Sequence, residues 1–182
     1  MAVVPPRRAR VEDAYAIARV HVESWRATYP GLVPDRFLAA MRVDEYTERW
    51  HRMLAGRSGG HVTFVVEEAG RVVGFASGGR EREDRPRRGE LYAIYLLPEA
   101  RGRGHGRALV RAVAASLRDQ GLTSLIVWVL RDNHPARAFY EHLGGTYAGE
   151  RPLDFGAGFT LTEVGYAWPD TDRLLGDRAA DP

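Results

Sequence analysis

The stretch PEARGRGHGRALV, residues 98–110, sets glycines at 102, 104 and 106 among arginines at 101, 103 and 107, and an apolar helical run follows at once. A strand stopping at Pro98 and a helix starting near Gly104 leave this turn on the helix's unpaired backbone N–H groups, where the dipole also favours an anion. Glycine lets that backbone approach phosphate oxygens with no Cβ in the way. Arg101, Arg103 and Arg107 add charge-assisted bonds. The chemistry such a turn serves is the holding of a pyrophosphate. Two familiar phosphate patterns fail on spacing. A GxGxxG fingerprint needs glycine at 107, where Arg107 stands, and a P-loop needs a lysine in a chain that has none. By itself the turn also fits a glycine-rich connection with no ligand.

Hydrophobic periodicity supplies the elements around the turn. Residues 89–97 (GELYAIYLL) read as a strand, and a helix over about 104–120 turns Leu109, Val113 and Leu117 inward. Residues 124–130 (SLIVWVL) form the near-continuous apolar run of a strand buried on both faces. Such a strand–helix–strand unit makes a parallel pair with a right-handed crossover. Upstream lie a short edge strand within 3–10, helices over 11–26, 35–41 and 44–55, and a hairpin of 61–68 and 71–79 turning at Ala69 and Gly70. Residues 80–88 read as a solvated, charged linker. Downstream come a helix over 135–143 closed by Gly144 and Gly145, a short strand around Tyr147, a strand over 159–168, and a tail after Pro169 expected to be disordered. The expectation is one domain over 1–168 of mixed α/β (α+β) class, followed by the tail over 169–182.

Composition removes several functions. With no cysteine there is no disulfide, thiolate metal site or cysteine nucleophile, and with no lysine there is no Schiff base. The six histidines show no ligand spacing, so no metal is expected. A net charge of +2, with arginines interleaved among 24 acids, argues against nucleic acid. No apolar run approaches the roughly 20 residues of a membrane span. The start, MAVVPPRRAR, lacks a signal peptide's apolar core, which gives a cytoplasmic expectation.

About thirty residues after the turn stands NHPARAFYEHLGG, 133–145. RGRGHG after a strand, then a buried strand, then NxxAxxFYExLG, resembles the GCN5-related N-acetyltransferase (GNAT) superfamily, whose R/Q-x-x-G-x-G/A pattern is met by Arg101, Gly104 and Gly106. The resemblance implies an acyl-CoA N-acyltransferase-like fold, a mostly antiparallel sheet with a central splayed parallel pair flanked by helices. It implies acetyl-CoA in the splay between 89–97 and 124–130. The pyrophosphate would lie on residues 102–107 (Gly102, Arg103, Gly104, His105, Gly106 and Arg107) with Arg101 beside them. The pantetheine arm would add like a strand to the main chain of Ile94 and Leu96, Asn133 would bond it, and Tyr140 would face the sulfur. Asn133 equally suits the N-cap of the 135–143 helix.

The implied reaction is attack of a neutral primary amine, on a small molecule or a peptide, on the thioester carbonyl. A base helps an ammonium shed its proton, and Tyr140 can protonate the departing sulfur. Some relatives carry a glutamate base five residues before the asparagine, and that position here is Trp128. Others place a glutamate near the start of the earlier strand, which corresponds to Glu90. Alternation puts 90, 92, 94 and 96 on one face, so Glu90 points with Ile94 and Leu96. It also reads as an exposed strand-end carboxylate beside the 80–88 arginines. Tyr92 is a further candidate for positioning the acceptor. HVESWRATYPGL, 21–32, resembles the N-terminal region of one bacterial branch, where the loop after the first helix borders the acceptor. Trp25, Arg26 and Tyr29 then line the pocket, or Trp25 and Tyr29 are core. Family habit allows a homodimer through the C-terminal strand. A non-catalytic acyl-CoA sensor with the same fold is the second reading, and Tyr140 and Glu90 weigh against it because a pure binder needs neither.

Overall fold

The computed structural model describes residues 4–56, 60–83, 85–156 and 158–176. One seven-stranded sheet has the order β1-β2-β3-β4-β5-β7-β6. Its strands are β1 (Arg7–Arg8), β2 (Val62–Glu68), β3 (Arg71–Arg80), β4 (Arg88–Leu96), β5 (Ser124–Leu130), β6 (Thr146–Asp154) and β7 (Thr160–Trp168). All neighbours are antiparallel except β4 and β5. The helices are α1 (Ala14–Thr28), α2 (Asp35–Ala40), α3 (Val43–Ala55), α4 (His105–Arg118), α5 (His134–His142) and α6 (Asp172–Leu175). The expected mixed fold with a parallel central pair is what the chain adopts.

α4 carries its apolar stripe, Leu109, Val110, Val113 and Leu117, onto one face of β2, β3 and β4, while α1 packs on the other face of β3 and β4 with α3 beside it. The β2–β3 hairpin closes through Ala69 and Gly70, both at positive φ, as a two-residue turn with the twist of its strands requires. The central pair then opens. β4 and β5 are paired over four rungs, Arg88↔Ser124 to Leu91↔Val127, and not beyond. β4 continues beside β3 to Leu96, and β5 beside β7 to Leu130, so a fork widens between them.

Four expectations are corrected. The edge strand within 3–10 shrinks to two residues, since Pro5 and Pro6 cannot donate to the ladder. The strand around Tyr147 extends over nine residues as β6. The two ends of the 80–88 run are tied together rather than solvated as a linker: buried Glu81 is ion-paired with Arg88, and Glu81 N donates to Arg88 O at 3.0 Å. The tail is ordered through Gly176. Thr171 and Leu174 are buried, Arg111 Nε donates to Leu174 O at 2.8 Å, and Arg118 binds Asp170 and Asp172; residues 177–182 lie outside the described residues. β7 lies between β5 and β6, which removes strand pairing through β7 as a route to a dimer.

Candidate active site

The turn before α4 is built for its backbone. Gly102 (φ 71°) and the N-cap Gly104 (φ 82°, ψ −8°) hold left-handed conformations that a side chain would strain, and no side chain caps the helix. Gly106 has a packing duty: a Cβ there would stand 3.1 Å from the Phe139 ring, so glycine lets α4 lie against α5. Arg101 reaches sideways, its Nε donating to Leu96 O at 3.2 Å and its Nη2 to Thr28 Oγ1 at 2.9 Å. Arg103 pairs with Glu68 at 3.1 Å. His105, 3% exposed, turns its ring inward to Glu68, with Nε2 at 2.8 Å and Nδ1 buried without a partner, so only its backbone belongs to the turn. Arg107 flanks a narrow cleft with Arg111, His142 and Arg173.

A bulge decides which way β4 points its side chains. Ser77 pairs with Ala93 and Gly78 with Leu91, so Tyr92 is the extra residue. A Cβ on Gly78 would strike Val113 and Leu117 of α4, which fixes the face of its row: Gly74 opposite Leu96, Ala76 opposite Ile94, Gly78 opposite Leu91. A Cβ on Gly79, opposite Glu90, would strike Tyr92 and His61 on the other face. Glu90 and Tyr92 therefore stand on the α1 side with Tyr95, and Ile94 and Leu96 on the α4 side. The expectation that 90, 92, 94 and 96 share a face is overturned, because the bulge shifts the alternation by one. The main chain of Ile94 and Leu96 does face the fork. Leu97 N donates to Val73 O of β3, so the even residues aim their backbone groups the other way. Leu96 O there accepts from Ser24 Oγ and Arg101 Nε, both at 3.2 Å.

Tyr140 reaches this region from α5, buried to 5% exposure, and burial raises its phenol pKa. Asn133 N-caps α5, its Oδ1 accepting from Ala136 N at 3.3 Å, and also meets the Tyr29 hydroxyl. The N-cap reading of its position holds. Tyr29 is a core residue: buried, beside Trp25 at 4.7 Å between ring centroids, and with a pKa raised by burial. Trp25 turns its indole N–H toward the Tyr95 hydroxyl without closing a well-formed bond. Phe37, Phe155 and Phe159 complete the aromatic wall at 5–6 Å spacings. Arg26 does not line the site: Nε and Nη2 hold Leu38 O and Met41 O at the end of α2. His21, stacked on Tyr95, is pushed down to about 4 by burial and by the nearby Arg49 and is neutral near pH 7.

Glu90 is fully buried rather than exposed. One oxygen accepts Arg82 N–H at 3.1 Å, the other the Arg82 guanidinium, and Arg151 Nη2 stands 3.9 Å away. Arg151 also binds Glu163 at 3.1 Å and Glu83 at 3.2 Å. Tyr92 donates to Arg80 O and lies under Arg82. The sequence reading missed Arg82, Arg151 and Glu163. Arg82 lay in the run taken for linker, while Glu163, the one charged residue of β7, was the visible signal. Among the described residues no cluster of His, Asp and Glu could hold a metal, and no helix is long and apolar enough to cross a membrane.

Residues 18–145 match the Acetyltransferase (GNAT) family. The chain belongs to it. Its reaction is the acetyl-CoA-dependent transfer of an acetyl group to an amine. YuaI of Bacillus subtilis (strain 168), named an uncharacterized N-acetyltransferase, is 40% identical over 94% of this chain and 96% of its own. A mycothiol acetyltransferase of Rhodococcus jostii (strain RHA1) is 32% identical over 74% of this GNAT chain, which spans only 42% of that enzyme's length. The PaiA N-acetyltransferase of Thermoplasma acidophilum, solved in complex with coenzyme A, shares the fold at TM-score 0.72 and 20% identity over 90% of this chain and 98% of its own.

Proposed function

We propose that the fork between β4 and β5 is where this chain transfers the acetyl group, with the donor in the plane of the sheet and a primary amine entering over the α1 face. The observation that carries this is the end of β4–β5 pairing at Leu91↔Val127, next to a helix start with left-handed glycines and no side-chain cap. The residues fit the donor. The turn over 102–107 offers backbone N–H groups to the pyrophosphate, and the open edge of Ile94 and Leu96 offers strand-like bonds to the pantetheine arm. Arg101 and Ser24 then share or release Leu96 O. Asn133 stands at the arm's far side.

Acetyl-CoA supplies the acyl group already activated as a thioester. The acceptor nitrogen forms the new C–N bond as the C–S bond breaks. Tyr140, kept protonated by burial, hands its proton to the sulfur. The acceptor's proton leaves on the α1 side through water toward Glu90, because both Glu90 oxygens are already bonded to Arg82. Trp25 and Tyr29 wall the acceptor, and Tyr92 holds the Arg80 carbonyl and lies under Arg82.

The test is incubation with acetyl-CoA and a panel of primary amines, following free thiol and acetylated product. Amine-dependent thiol release is expected. Tight acetyl-CoA binding with no release for any amine would leave the sensor reading in its place.

A further inference from the structure

Trp128 occupies the first position of β5 beyond the last rung shared with β4, and the mechanism above gives it no task. It stands on the α1 face, opposite Gly165 of β7. Its indole lies in a fitted slot. A Cβ on Gly165 would come within 3.0 Å of the benzo ring at Cζ3, and the Arg151 guanidinium covers the ring at 4.0 Å from its centroid. With the benzo end over β7, the pyrrole end stays over β5 beside the fork. Its Nε1 is buried and has no hydrogen-bond partner. An indole N–H only donates, and a buried donor without an acceptor is costly.

Building on the reaction proposed above, we propose that Trp128 selects the acceptor: its N–H receives a carbonyl oxygen adjacent to the reacting amine, so the substrate class is an α-aminoacyl amide, as at a peptide N-terminus or in a small amino-acid conjugate. Two considerations narrow the choice to that oxygen. On the reading above the donor's arm adds in the plane of the sheet, whereas Trp128 stands off that plane on the α1 face, the side proposed for the acceptor. The paired charges beside it, Glu83, Glu90 and Glu163 against Arg82 and Arg151, leave negative charge in excess. That surplus favours an ammonium next to a neutral carbonyl and disfavours a free carboxylate. Trp128 thus exchanges the proton-accepting chemistry of a carboxylate at this position for recognition.

The test compares L-alaninamide, isopropylamine and L-alanine as acceptors, at equal concentrations of free amine, in the wild-type protein and in Trp128→Phe, with acetyl-CoA affinity measured alongside by calorimetry. In the wild type L-alaninamide should lead both others in kcat/KM by about tenfold, the worth of a buried hydrogen bond. Trp128→Phe should cost L-alaninamide about tenfold more than isopropylamine, mainly through KM, with acetyl-CoA affinity kept. Equal losses for both amines would move the N–H to the transferring acetyl oxygen and overturn the proposal. An undiminished preference in the variant would overturn it too. Should the variant fail to fold, the wild-type ranking decides alone, and its absence overturns the inference. Loss of acetyl-CoA binding in the wild type, or no thiol release with any amine, would instead bring down the underlying reaction.

Discussion

On the α4 side of the fork, Leu91, Ile94 and Leu96 join an apolar core, and what that side offers a ligand is main chain: the open edge of β4 and the glycine turn before α4. On the α1 side, Glu90, Trp128, Arg151 and Glu163 offer side chains, most of them bonded to one another. The difference fits what each side is proposed to hold. Phosphates and an amide-bearing arm can be held by backbone groups, which every sequence has, provided glycine clears the approach. An acceptor that must be told from other amines needs charge, shape and placed donors, which only side chains supply.

Gly104→Val strikes the first side alone and should have the largest effect. Valine is strained at φ 82° and closes the approach to the turn. Losing one or two charge-assisted phosphate bonds weakens binding roughly 10²-fold. Calorimetry on the folded variant should show that loss, and unchanged affinity would separate the turn from the donor. Glu90→Gln strikes the second side. Turnover near neutral pH should fall by about 10², the low end for a positioned base because water intervenes, with acetyl-CoA affinity preserved. The deficit should shrink as pH rises and more amine arrives neutral. A pH-independent deficit would make Glu90 a charge that places the ammonium, and a profile overlaying wild type would remove it from the reaction.

Tyr140→Phe sits where the two sides meet. It should lower kcat about 10²-fold, the low end for a positioned acid, while leaving donor affinity alone, since the ring remains and only the hydroxyl goes. Wild-type kcat, with chemistry shown to limit the rate, would make the residue packing only. A separate effect concerns stability and leaves both sides of the fork alone. His21 is neutral in the fold at about 4, against 6.5 when unfolded, so the unfolded chain binds the extra proton between those values. Its contribution, up to roughly 3 kcal/mol, is present above pH 6.5 and is lost as pH falls toward 4. His21→Gln should flatten the decline of Tm over that window, and parallel curves would assign the acid loss to other groups.

The side proposed for the donor was legible in the sequence because its requirements are local. Left-handed backbone at 102 and 104 demands glycine within a few residues of a strand end and a helix start, and Tyr140 follows the N-cap Asn133 on one short helix. The side proposed for the acceptor was not. Its members come from residues 25, 82, 90, 128, 151 and 163, brought together only by the order of the strands and the packing of α1 on them. Nothing in GELYAIYLL marks the bulge, since either phase of that run looks equally apolar. Arg26 could not be known to hold the end of α2, because its partners are carbonyls that carry no residue signature. The tail misled for a similar reason: Leu174 is one buried residue among charged ones, too little periodicity to show a helix.

The extra residue at Tyr92 makes β4 a strand with two phases, out of step by one across residues 91–93. A substitution on either part alters one side of the sheet and spares the other, so the surfaces proposed for donor and acceptor can drift separately. Removing the extra residue would make Leu91↔Gly78 and Ala93↔Ser77 consecutive rungs, with Glu90 and Tyr95 still on the α1 side and Ile94 and Leu96 still on the α4 side. Even a change of length is absorbed at the bulge, at the cost of the Tyr92 side chain and the local twist.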